Sequence, residues 1–226
     1  MKEKTMLTIP ETAEYLKVSE AVVQEMLQSN VLKKSGNFKV LKIKKSDIDG
    51  WLAKLNPKEE ESLALKRVIC RFQDYFKPEH ITLDFTADNK YEAISLMSKK
   101  ARDLKIVKDY RWLYEVVVAR EELVSTAVGK GVAMLHPRHM HPMKIKEPTI
   151  LFGRAVEGVE FDAPDDMPVN LFFMLLLHND KQHLFSLSFI TKYLMHEENI
   201  KKLVEAKTEI DVYNSILGFG KKKGKK

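Results

Sequence analysis

Between Arg120 and Pro137 the chain has little choice of conformation, and the rest must be arranged around that stretch. Glycine reaches positive φ without strain, so Gly129-Lys130-Gly131 reads as a tight turn whose backbone N–H groups point outward. Val132 to Leu135 is a short apolar run, and such a run behind a glycine turn reads as a buried strand. Pro137 cannot donate to a sheet ladder, so the strand stops and delivers His136 at its end. Just upstream, Arg120, Ser125 and Thr126 bring a guanidinium and two hydroxyls close together in sequence. A neutral imidazole is a nucleophile, and neutral is its main form near pH 7. A histidine beside an anion-friendly loop of this kind points to chemistry on a phosphoryl group.

The surrounding chain supplies alternating elements. Residues 89–101 and 181–196 read as helices, and 132–135, 150–154 and 171–177 as strands. Alternation of this kind argues for an α/β layer fold. Residues 1–56 form a separate small module. Thr8, Pro10 and Glu11 mark a helix start, with Thr8 as N-cap and Glu11 three residues on. Lys17-Val18-Ser19 is a short turn, and Ser19 caps a second helix with Val22, Val23, Met26 and Leu27 at helical spacing. Lys33 to Lys45 alternates basic and apolar residues around Ser35-Gly36-Asn37, which reads as a two-stranded wing. A last helix opens near Ser46. Residues 57–78 form a helical connector in which Leu65, Ile69, Phe72 and Phe76 share one face. That face suits packing on the next domain or pairing with a second copy, as a homodimer.

The net charge of +6 resides at the ends of the chain. Five lysines lie in 221–226, so residues 1–220 sum to only +1. Residues 219–226 read as a disordered lysine tail. No apolar run approaches the ~20 residues of a membrane helix and no secretory signal is apparent, so no membrane partner and a cytoplasmic location are expected. The lone Cys70 excludes an internal disulfide. His136, His139 and His141 are close in sequence, with His178 and His183 later, which raises a zinc site. No cysteine joins them and no H-E-x-x-H spacing occurs, so no metal is expected.

At the Arg120–His136 stretch the chain resembles the phosphotransferase-system enzyme IIA domains of the fructose, mannitol and nitrogen-regulatory type. Their active segment, R-E-x-x-x-S-T-x-x-G-x-G-x-A-x-x-H, is filled at every specified position. The resemblance extends to Ile81–Asp84, Gly158–Asp162, Pro168–Leu171 and Gln182–Ser188. It implies a domain over 79–218 with a mixed sheet flanked by helices, in which His136 accepts a phosphoryl group from the phosphocarrier protein HPr. It also implies that His183 lies beside His136, and that Arg120, Ser125 and Thr126 neutralise and hydrogen-bond the phosphoryl oxygens. Asp180 is expected to cap the helix that His183 opens. No cofactor is implied, and the chain would be a phosphohistidine carrier rather than a turnover enzyme. One departure is Pro137-Arg138, where many family members have glycine; proline removes an N–H donor.

The amino-terminal module is similar to the excisionase/MerR-like winged helix-turn-helix family over about residues 6–55. That resemblance implies DNA binding, with Gln24 and Gln28 on the recognition helix and Lys33, Lys34, Lys39 and Lys42 on the wing meeting bases and phosphates. Glu20 and Glu25 on the same helix oppose it. Together the two resemblances describe a nitrogen-regulatory IIA-like regulator whose phosphorylation is coupled to DNA binding or partner regulation. Two alternatives stay open: a sugar-specific carrier with a docking or dimerising amino-terminal module, and a IIA-fold partner-binding regulator without chemistry.

Overall fold

In the computed structural model, residues 5–35 and 41–219 are described, apart from the side chains of Leu65, Val68, Ile69 and Cys70. They group into two units, one up to Arg71 and one from Phe72 to Phe219.

The first unit begins with a strand, β1 (Met6–Thr8), where sequence reading saw only a helix start. It pairs antiparallel with β2 (Lys42–Lys44), Leu7 opposite Ile43. Three residues are too few for a period of two to be legible. Thr8 then caps α1 (Ile9–Leu16) as expected. Its hydroxyl accepts the Glu11 N–H at 3.4 Å and its own N–H donates to the Glu11 carboxylate at 2.9 Å, a reciprocal capping box. Lys17, in the left-handed region at φ 57°, turns the chain, and Ser19 caps α2 (Glu20–Gln28). A third helix, α3 (Lys45–Leu52), follows β2. Leu16, Val23, Ile43 and Ile48 are fully buried between these elements. Of the expected wing, Ser35 bridges Lys42. Its tip with Lys39 lies outside the described residues, as do 220–226 of the expected tail; Phe219, placed in that tail by the sequence, instead sets its ring 5.4 Å from that of Tyr193.

The connector is helical, α4 (Pro57–Gln73). Leu63 joins the first unit's core, Lys66 pairs with Glu25 at 3.2 Å, and the Arg67 Nε donates to the Leu16 carbonyl at 2.8 Å. Phe72 and Phe76 are fully buried in the second unit, where Phe72 lies 4.4 Å from the Phe189 ring and Phe76 stacks near Tyr213. Those two rings are therefore not free to pair with a second copy. Leu65 and Ile69 lie outside the described side chains.

The second unit is an α/β layer structure. Strands β3 (Ile81–Phe85), β4 (Ala127–Gly129), β5 (Val132–Leu135), β6 (Thr149–Val159) and β7 (Val169–Leu176) form one sheet in the order β3-β6-β7-β5-β4. The β3–β6 and β5–β7 pairs are parallel, while β6–β7 and β4–β5 are antiparallel. The sheet is mixed, as expected. Helices α5 (Lys90–Asp103) and α6 (Tyr110–Glu121) cover one face, sharing a core with Leu135, Leu151, Phe172 and Met174. On β7 the intervening Leu171, Phe173 and Leu175 alternate to the other face. Helices α7 (Asp180–Leu194), α8 (Glu197–Glu205) and α9 (Glu209–Leu217) complete the unit, α8 packing on β7 and α9 on β3. Among the described residues no helix is long and apolar enough to cross a membrane.

Strand β6 is twice the length expected for 150–154. Gly158 at φ 74° and the exposed Val156 and Glu157 interrupt its apolar run, and the register with β7 shifts between Arg154 and Val159. Arg154 ties this strand outward. Its guanidinium donates to the Leu203, Val204 and Ala206 carbonyls at 3.1, 2.7 and 2.6 Å, which are the orphan acceptors at the α8 terminus. It also pairs with Asp84 of β3 at 2.7 Å. Arg154→Ala strips these acceptors of their donor, and urea unfolding is expected to show a loss of about 2–3 kcal/mol.

Candidate functional site

Strand β5 pairs with β7 in register from Val132 opposite Leu171 to Leu135 opposite Met174. His136 follows directly, half-buried, at the carboxyl end of a buried strand. Its Nδ1 faces the Pro137 carbonyl at 3.0 Å. A carbonyl only accepts, so Nδ1 carries the proton and Nε2 keeps its lone pair. His183 sits in the first turn of α7, with the two imidazole centroids 4.7 Å apart at 59°. The Nδ1 of His183 is buried and has no hydrogen-bond partner.

Both rings are held neutral. Burial lowers the His136 pKa below its usual value; the Arg120 charge adds to this, while the Pro137 carbonyl and Glu121 oppose it. Burial, then the His136 and Arg120 charges, push His183 down to about 4 against the pull of Asp180. The helix that presents His183 is capped by Asn179, whose side chain accepts the Gln182 N–H at 3.0 Å. Asp180, expected as the cap, is instead the first helical residue, since Asn179 already holds the extended conformation of an N-cap.

The sequence places Arg120, Ser125 and Thr126 together, and each already has an internal partner. The Arg120 Nη1 donates to the Val124 carbonyl at 2.7 Å, leaving the rest of its fork. The Ser125 hydroxyl donates to the Phe161 carbonyl at 2.6 Å and accepts the Ala127 N–H at 3.2 Å. Thr126 is buried, and both its N–H and its hydroxyl donate to the carboxylate of buried Glu121. Sequence reasoning gave Glu121 no role of its own. Its signal is the position, the last residue of α6, one turn from a Ser-Thr pair whose donors need an acceptor.

The Gly129-Lys130-Gly131 turn has positive φ at all three residues, 83°, 55° and 71°. Its Lys130 N–H does not point outward to a ligand. It donates to the Asp165 carboxylate at 2.6 Å, so the anion held by this turn belongs to the chain itself. A Cβ at Gly129 would meet that carboxylate at 3.0 Å.

Comparison with known proteins decides the family. The model described as "Phosphoenolpyruvate-dependent sugar phosphotransferase system, EIIA 2" matches residues 74–218. The chain belongs to this EIIA-2 family. A second model, "Helix-turn-helix domain", matches residues 6–56. The chain is 34% identical over 140 residues to the PTS system fructose-specific EIIA component of Haloferax volcanii, covering 61% of this chain and 89% of that protein. It is 31% identical over 148 residues to a nitrogen regulatory protein of Bradyrhizobium diazoefficiens, covering 65% and 94%. The crystal structure of nitrogen regulatory protein IIA-Ntr from Neisseria meningitidis superposes with a TM-score of 0.58 at 30% identity, covering 64% of this chain and 98% of that one.

In this EIIA-2 protein the residues suggested for DNA are distributed unevenly. Gln24 and Gln28 are exposed on α2, together with Glu20. Glu25 is engaged by Lys66 of α4. Lys33 and Lys34 are exposed, whereas Lys42 is half-buried within β2. Among the described residues no three His, Cys, Asp or Glu groups come together as a metal site.

The depressed histidines of the EIIA-2 unit carry a pH signature. Below its ordinary pKa of 6.5, His183 takes up a proton in the unfolded chain but not in the folded one until pH reaches about 4. Stability should therefore fall as pH drops through that window, with His136 acting in the same direction. NMR titration should find the His183 ring changing near pH 4; a ring titrating near 6.5 would show it to be solvated.

Proposed function

We propose that this EIIA-2 protein is a nitrogen-regulatory-type phosphohistidine regulator: His136 takes a phosphoryl group from an HPr-like phosphocarrier, and the helix-turn-helix module couples that state to DNA. The observation carrying the reading is the neutral His136–His183 pair, with the His136 Nδ1 committed to a backbone carbonyl and Nε2 left as nucleophile. In the step proposed, the Nε2 lone pair forms the bond to phosphorus while the bond to the donor's imidazole nitrogen breaks, and the electron pair leaves with that imidazole. Such transfer needs alignment and charge stabilisation and little else. The Nδ1–H stays on the Pro137 carbonyl, which stabilises the positive charge developing on the ring. Arg120 and His183 would meet the incoming oxygens. Ser125 and Thr126 support the loop unless their hydroxyls turn from Phe161 and Glu121.

A second reading is a sugar-specific carrier in which the amino-terminal module only docks or dimerises. It is favoured by the acidic Glu20 beside Gln24 and Gln28 on the open face of α2, a poor surface for phosphates.

Incubation with enzyme I, HPr and labelled phosphoenolpyruvate tests the relay. The intact chain should acquire acid-labile label and His136→Ala none. An unlabelled intact chain would reject the carrier chemistry. Titration of duplex DNA at several salt concentrations separates the two readings. A regulator loses affinity on Lys33→Glu with Lys34→Glu, by about tenfold or more for two phosphate contacts. A carrier binds no duplex and keeps full label in that variant.

A further inference from the structure

The segment that follows His136 folds back against the start of α6. Val107 and Ile145 pair as an antiparallel bridge, and the Lys146 N–H donates to the Ile106 carbonyl at 2.8 Å. These backbone bonds hold the 143–146 segment beside residues 105–112 and leave a concave cavity of about 410 Å³ between them. That volume lies within the usual range for a small-molecule site.

The lining has two chemistries. Ile106, Trp112 and Met143 give it apolar surface, and Met143 is 97% exposed, with nothing of the chain covering it. Around that surface stand Lys105, Lys108, Lys144 and Lys146. Among the described residues none of these four ammonium groups forms an ion pair. Asp109 is the one acid of the lining, and its carboxylate is spent capping α6, accepting the Arg111 and Trp112 N–H groups at 2.9 and 3.2 Å. The Lys144 ammonium lies 4.5 Å from the Trp112 ring centre, the arrangement of a cation over an aromatic face. His141 meets the same ring edge-on at 5.0 Å.

Four like charges around one opening repel one another and focus a positive potential into it. Four solvated surface lysines would account for the charge alone, but not for an indole and an open methionine lining the same cavity. A bare inorganic anion has no use for the apolar surface, and an uncharged apolar molecule has none for the lysines. The two together suit one ligand with a planar ring and a phosphate chain. We propose that this cavity is a binding site for a nucleoside diphosphate, its base against Trp112 and Met143 and its phosphates among the four lysines. The proposal does not depend on phosphoryl chemistry at His136.

Calorimetric titration of the full chain with ADP, GDP, CDP and UDP, free of divalent metal, tests it. Adenosine and pyrophosphate serve as the ring without the charge and the charge without the ring. At least one diphosphate should saturate with a Kd below about 1 mM, and adenosine and pyrophosphate should each bind about tenfold or more weakly than the best of them. Lys108→Glu with Lys144→Glu should weaken the diphosphate by about tenfold or more with an unchanged melting temperature. Trp51→Phe leaves Trp112 as the sole indole, and its fluorescence should change on titration, which locates the ligand even if the charge-reversed variant fails to fold. Absence of saturable binding by all four diphosphates would overturn the proposal. So would pyrophosphate binding as tightly as the best diphosphate, or an unaltered Trp112 signal on saturation.

Discussion

The pairing of β5 on β7 is the contact from which the chemistry of the second unit takes its position. Strand β7 lies between β6 and β5, and Phe172 through Leu176 are essentially without solvent exposure. Burying each such side chain is worth roughly 1.5–3 kcal/mol, so the central strand has no freedom to move. Its parallel partner is only Val132–Leu135, too short to hold a register by hydrogen bonds alone. What holds it is alternation: Ala133 and Leu135 face the α5–α6 core, Val132 and Met134 the other side. A slip of one residue would exchange those faces and carry His136 out of its place beside His183. The hydrophobic pattern of four residues therefore sets the position of His136.

Around that position the protein spends burial rather than counter-charge. Among the described residues no carboxylate bonds either ring; the buried acid Glu121 is turned to Thr126. Both imidazoles are kept neutral by partial exclusion of water and by the Arg120 guanidinium. A neutral ring is what nucleophilic attack would require and a guanidinium what a dianion would, so the one arrangement suits both demands of the proposed transfer. The cost is a loss of stability as pH falls through the window between the folded and unfolded histidine pKa values.

Much of this was legible before any coordinates. The glycine turn, the apolar run and the proline bracket β5 to the residue, because each acts through backbone physics that needs no tertiary context. Thr8 and Ser19 were readable for the same reason, as caps are local. The α/β layering followed from alternation, and the mixed sheet flanked by helices from the resemblance. What escaped depended on distant partners. Strand β1 exists because β2 lies opposite it, and β6 continues past its glycine because β7 continues beside it. Nothing near Gly129 in sequence announces Asp165, and nothing near Arg154 announces the end of α8. Asn179 and Asp180 are both good caps, and only the backbone angle at Asn179 chooses between them.

Pro137 first drew notice as a loss, one N–H fewer beside His136. Its carbonyl, which any residue there would also carry, is the group that faces the His136 Nδ1. The tautomer of a histidine is set by the group its other nitrogen bonds, a carboxylate that mutation can remove or a backbone carbonyl. Here the selecting group is main chain, on the residue next to the histidine, a proline whose ring locks φ. No substitution at another position deletes that acceptor. The tautomer of His136 is thus set by main chain, while its charge state still answers to burial and to the Arg120 and Glu121 side chains.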